Sequence, residues 1–147
     1  ERALMRNVLV LDAEPANLEV ACNTVRAIDG AINVLRVKQA DACIHALGLS
    51  AADLLIVDSN AGADPLGLLE QLRNDCPKSQ VLIILQPDQT ALLHEALRLG
   101  ASDCVIKDRY FSDSLHLAIR RCLEAARLER ALKKGEAECL FCEEIYL

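Results

Sequence analysis

Residues 52–60 read ADLLIVDSN, and the pattern of these letters decides the fold. Leu54, Leu55, Ile56 and Val57 run unbroken into Asp58. A strand with one wet face alternates apolar and polar residues, so a continuous run belongs to a strand covered on both faces. The pattern recurs in NVLVLDAEP at 7–15, where Val8–Leu11 stops at Asp12. It recurs again in VLIIL at 81–85, which stops at Gln86. Strands of this kind build a parallel sheet held between helices.

The intervening segments carry helical spacing. Pro15 opens one with Leu18, Cys22 and Val25 on one side, and Gly30 ends it. Ile32–Val37 alternates as a second strand. Ala40, Cys43, Ile44 and Leu47 form another apolar stripe, closed by Gly48. Pro65–Leu72 is a third helix with Leu68, Leu69 and Leu72 inward, and QTALLHEALRLG at 89–100 is a fourth, ended by Gly100. Cys104–Ile106 is a short fifth strand that stops at Lys107. A last helix starts near Ser112, a good N-cap, and runs toward Lys134. Five strand–helix units imply an α/β domain. The expected sheet is open, doubly wound, five-stranded and parallel, flavodoxin-like in order 2-1-3-4-5, with helices on both faces.

Composition bounds the function. A chain of 147 residues, 52% apolar, supports one well-buried domain. No apolar run approaches the ~18 residues of a membrane helix, and residues 1–20 lack a signal-peptide pattern. The net charge is −6, and acids are mixed into the basic stretch RLERALKK, which argues against direct binding of nucleic acid. Of the seven cysteines, Cys22, Cys43, Cys76, Cys104 and Cys122 sit in apolar stretches, as reduced core thiols of a cytoplasmic protein do. Cys139 and Cys142 form one C-x-x-C with no second pair and no nearby His, short of the about four ligands zinc takes. His45, His94 and His116 fall on helices away from the strand ends. Gly62 and Gly67 lack the Lys-Ser/Thr of a phosphate-binding loop.

Ligands of such sheets bind at the carboxyl ends of the strands. The residues there are Asp12 and Glu14, Asp58 and Asn60, Gln86, and Lys107. Carboxylates from two strands beside a lysine can hold a hard cation and a phosphoryl group. A carboxylate can also accept the phosphoryl group, forming an acyl phosphate. Asp12, Asp58 and Lys107, each ending a different strand, carry this reading together.

These residues resemble the receiver domains of two-component response regulators, over about residues 7–127. VLVLDAEPANLE is similar to the family's first strand and acidic turn, and ADLLIVDSN to its phosphoacceptor strand. LRLGASDCVIKD resembles the segment GA-x-D-x-hydrophobic-x-K-P. The resemblance implies a phosphorelay protein, not an enzyme. Asp58 would take a phosphoryl group from a histidine kinase or phosphotransfer protein, and Lys107 would contact it. Mg²⁺ would be held by Asp12, Asp58 and the backbone carbonyl of Asn60, with Glu14 as a poorer substitute ligand.

Several positions depart from the family pattern. The second acid after strand 1, ordinarily a direct metal ligand, is Ala13. The hydroxyl residue ending strand 4 is Gln86, a second phosphoryl-contacting candidate. The switching aromatic of strand 5 is Cys104, and the proline after the lysine is Asp108. The loop SNAGADPLG is about one residue longer than the family's, with Gly67 expected to take over the family's glycine turn. Weakened metal binding and weakened switching are therefore expected. The alternative is a phosphorylation-independent module for protein interaction or dimerisation. A phosphohydrolase using Asp12 would want a second Asp two residues on, where Glu14 stands.

The expected organisation is a receiver at 1–127 and a helical extension at 128–147. Ser112–Lys134 would span about 35 Å, about twice what the last helix of a receiver needs. Its core stripe would be Leu115, Ile119, Cys122 and Ala126. Beyond Arg127, Leu128 and Leu132 suit pairing with a second copy or a lead toward an output domain in the same chain. GEAECLFCEEIYL resembles the start of a PAS-type sensory domain.

Overall fold

The structure, a computed structural model, describes residues 7–11, 15–37, 52–59, 64–75 and 79–146. Of these, the side chains of 15–18, 130 and 133–146 are left aside. Five strands form one sheet: β1 Asn7–Leu11, β2 Asn33–Val37, β3 Leu54–Asp58, β4 Gln80–Leu85 and β5 Asp103–Ile106. Their order is β2-β1-β3-β4-β5, and all four pairings are parallel. This is the expected doubly wound sheet.

The unbroken apolar runs do what their pattern demands. Successive residues of a strand point to opposite faces, and each face has its own helices. Val8, Val10, Leu54, Ile56, Leu82 and Ile84 pack with Cys22 and Val25 of the first helix, Pro15–Ile28. They also meet Leu115, Ile119 and Cys122 of the last helix, Phe111–Tyr146. Leu9, Leu11, Leu55, Val57, Ile83 and Leu85 pack on the other face with Leu68, Leu69 and Leu72 of the Pro65–Asp75 helix and Ala96 of the Leu93–Arg98 helix. The stripe Leu115, Ile119 and Cys122 is buried as expected, while Ala126 is half-buried.

Three local expectations need correction. The segment read as a fourth helix over 89–100 begins as a 3-10 turn, Pro87–Leu92, before the α-helix. Pro87 supplies a helical φ but no N–H, so it starts this turn two residues early. Gly67 does not turn the loop; it lies inside the Pro65–Asp75 helix, where a Cβ would come within 2.5 Å of Asp64 Oδ2. The last helix, read as running toward Lys134, begins at Phe111 rather than with Ser112 as its cap and runs on to Tyr146. A glycine inside a helix costs only about 1 kcal/mol against alanine, so Gly135 among Lys134, Glu136 and Ala137 is carried through. Gly100 is the one glycine with a positive φ, 111°, among the described residues, and it closes the Leu93–Arg98 helix as expected. The stripe from Ala40 to Gly48 lies outside the described residues.

Candidate phosphoacceptor site

The parallel register brings three strand ends together. Asp58, the last residue of β3, lies opposite Ile84 of β4. Gln86 follows β4 directly. Lys107 follows β5, and its backbone N–H donates to the Leu85 carbonyl at 2.8 Å, which holds it against the end of β4. From there its side chain crosses toward β3.

Lys107 Nζ donates to Asp58 Oδ2 at 2.8 Å. Asp58 is 1% exposed, and the Lys107 side chain 15%. A carboxylate so buried needs a counter-charge and hydrogen bonds, because desolvation otherwise outweighs the gain of ionisation. Lys107 provides the charge. Gln86 Nε2 donates to the other oxygen, Oδ1, at 3.4 Å, a long contact. The Lys107 ammonium also lies 6.0 Å from the centroid of the Phe111 ring, at the start of the last helix. Asp58 and Lys107 make further interactions as well.

Sequence reasoning missed two residues beside this site. Ser59, 4% exposed, donates its hydroxyl to Gln89 Oε1 at 2.5 Å. The same Oε1 accepts the Gln86 backbone N–H at 2.9 Å. Gln86-Pro-x-Gln89 has the spacing of a capping box, in which the third helical residue reaches back to the cap. That signal was present in the sequence.

Asp58, Lys107 and Gln86 are thus brought together as expected. Asp12, Ala13, Glu14 and Asn60 lie outside the described residues. Among the described residues no group of three or more His, Cys, Asp or Glu side chains could hold a metal ion. His94 lies on the Leu93–Arg98 helix and His116 on the last helix. Cys104 is half-buried, and desolvation, with the Asp103 charge adding to it, pushes its thiol up to about 11. Asp108 accepts the Tyr110 backbone N–H on Oδ1 at 2.9 Å, and its carbonyl accepts from Phe111 N–H at 3.0 Å. The acid standing where the family has proline therefore shapes the turn into the last helix.

The site is thus a buried carboxylate at the end of the central strand, paired with a lysine from two strands away, at the carboxyl edge of a doubly wound parallel sheet. The sequence model of the response regulator receiver domain matches residues 8–120, well over half of the chain. The chain belongs to that family, and it is a module of two-component signalling. Receiver domains generally bind Mg²⁺ at the phosphorylation site and interact with histidine kinases or phosphotransfer proteins.

Solved structures agree on the fold. NtrX from Brucella abortus is 24% identical with a TM-score of 0.77, over 89% of this chain and 29% of that one. The chain therefore spans less than a third of that protein. The signal receiver domain of a putative Luxo repressor protein from Vibrio parahaemolyticus is 21% identical with a TM-score of 0.75, over 88% of this chain and 98% of that one. A response regulator from Thermotoga maritima is 21% identical with a TM-score of 0.71, over 82% and 99%. No curated protein sequence matches the chain. Among the described residues no helix is long and apolar enough to cross a membrane.

Proposed function

We propose that Asp58 accepts a phosphoryl group from a histidine kinase or phosphotransfer protein. The observation that carries this is the buried Asp58 carboxylate held 2.8 Å from Lys107 Nζ at the carboxyl edge of the sheet. A carboxylate oxygen attacks phosphorus of a phosphohistidine; the O–P bond forms as the N–P bond breaks, and the released imidazole takes a proton from solvent. The acyl phosphate adds charge to a pocket that already holds an ammonium, so Lys107 transfers its contact to a phosphoryl oxygen. Gln86 Nε2, beside Oδ1, is a second donor to that group.

Asp58, Asp12, the Asn60 carbonyl and Glu14 are hard oxygen donors of the kind Mg²⁺ prefers. They would hold it, and bound Mg²⁺ would neutralise the phosphoryl oxygens. Ala13 leaves this donor set one carboxylate short.

The test is intact mass after incubation with Mg²⁺ and a small acyl-phosphate donor. An 80-dalton adduct (one HPO₃) lost in Asp58→Asn supports the reading; no adduct at millimolar Mg²⁺ contradicts it. Ala13→Asp raises the labelling rate if the missing acid is the weak point, and an unchanged rate counts against the metal argument.

A second reading has its own observation. Leu117, Leu128 and Leu132 are exposed along the last helix, with Arg121 and Glu124 between them. In this reading the domain signals by contact, and residues 128–147 are an extension that pairs with a second copy or leads to an output domain of a cytoplasmic protein. A dimer that survives truncation at Arg127 in sedimentation contradicts it.

A further inference from the structure

The 3-10 turn after β4 is fastened to the residue after the acceptor aspartate, and one side chain does the fastening. Gln89 Oε1 takes two hydrogen bonds. One comes from the Ser59 hydroxyl at 2.5 Å and one from the Gln86 backbone N–H at 2.9 Å. Ser59 directly follows Asp58, the last residue of β3, and Gln86 is the residue whose carboxamide reaches Asp58 Oδ1. The backbone bond from Gln89 N–H to the Gln86 carbonyl at 2.9 Å closes the turn on itself. A capping role alone requires only the Gln86 N–H. The bond to Ser59 spans two strands and is not needed to start a turn.

We infer that Gln89 is a positioning residue for the Asp58 site: through Ser59 and the Gln86 amide it fixes where the Gln86 carboxamide can reach. This rests on Asp58 being the phosphoacceptor. Gln is a longer and more flexible side chain than the family's short hydroxyl residue. It reaches Asp58 from a main chain that must itself be held still. With the tether in place, Gln86 Nε2 stays beside Oδ1 and donates to a phosphoryl oxygen once one is attached. Without it, the turn is free to lift away and water reaches the acyl phosphate. Ser59 contributes in a second way. Its proton is committed to Gln89, which directs the hydroxyl away from the neighbouring carboxylate.

The experiment follows decay of the 80-dalton adduct by intact mass after donor removal (one HPO₃), in the full chain. Gln89→Met keeps the volume and removes the acceptor of both hydrogen bonds; its adduct lifetime falls at least about fivefold, the scale of a single neutral hydrogen bond. Ser59→Ala removes one of these two bonds and shortens the lifetime by no more than Gln89→Met does, and the Ser59→Ala/Gln89→Met double variant is no shorter-lived than Gln89→Met, because the Ser59 bond is already absent there. Gln89→Glu, which keeps the accepting oxygen, recovers most of the lifetime. A merely structural role for Gln89 gives melting temperatures that track the lifetimes, with no rescue by Glu, and this overturns the inference. So does a Gln89→Met lifetime within twofold of the unaltered protein. An unaltered protein that takes no adduct overturns the acceptor reading and this one with it; an adduct with an unchanged Gln89→Met lifetime overturns this one alone.

Discussion

Asp58 and Lys107 are 49 residues apart in sequence and 2.8 Å apart in space. Removing the lysine leaves a carboxylate that is 1% exposed without its ammonium. Lys107→Met therefore costs about 1.5–3 kcal/mol, the range for a hydrogen bond to a charged group, and slows phosphoryl loading at least tenfold. Denaturant unfolding and adduct formation measure the two effects. Asp58→Asn keeps the shape and an accepting oxygen while removing the charge. Its stability stays within about 1 kcal/mol of the unaltered protein, and it takes no adduct. Each residue of this pair was legible in the sequence, because each directly follows a short apolar run. The Ser59–Gln89–Gln86 link was not legible in the same way. Its capping spacing is visible in the sequence, but its bond to Ser59 depends on strand register.

At the scale of elements, the last helix decides most. Leu115, Ile119 and Cys122 anchor it in one core, and two polar ties hold it to the sheet's opposite edge. Gln80 Nε2, at the start of β4, donates to Glu129 Oε1 at 2.7 Å, and Arg121 lies 3.6 Å from Asp103 at the start of β5. Gln80 is nearly buried, so its bond matters more than the exposed ion pair. Glu129→Ala removes that partner. Amides of the helix around Arg127–Lys134 then exchange faster while those around Leu115–Cys122 hold their protection; unchanged exchange near Glu129 contradicts the tie. The sequence located the core stripe because apolar spacing of 3.6 persists through Cys122. That stripe does not locate the helix end, and one glycine among helix formers at 135 is affordable. The turn at Pro87–Leu92 reads in the sequence as part of a helix, since a 3-10 segment leaves little trace in apolar periodicity.

At the scale of the whole molecule, the two-layered core explains both the fold and the thiols. Burial in it, with the Asp103 charge adding and Arg121 opposing, pushes the Cys122 thiol up to about 12. Cys104 stands at about 11 and Cys22 is also raised. All three are free thiols. A thiol raised in the folded state stays protonated there after it has ionised in the unfolded chain. Its stabilising effect is full below about pH 9 and is lost as pH rises through 11 to 12. The melting temperature therefore falls steadily above pH 9, and at pH 8 Cys122 resists alkylation in the folded protein but not in denaturant. Rapid alkylation of Cys122 in the native state contradicts the packing described. The five-stranded order was legible because three strands are apolar on both faces and the connections are right-handed by rule. What the sequence could not reveal is how the ends of β3, β4 and β5 meet, since that depends on a register no single segment encodes.

On this reading the receiver, short of one family acid at Ala13, still accepts a phosphoryl group on Asp58. Intact-mass spectrometry after incubation with Mg²⁺ and a small acyl-phosphate donor tests it most directly. A single 80-dalton adduct (one HPO₃), slow to form and absent from Asp58→Asn, is the expected result. An unmodified mass at millimolar Mg²⁺, or an adduct that persists in Asp58→Asn, contradicts it.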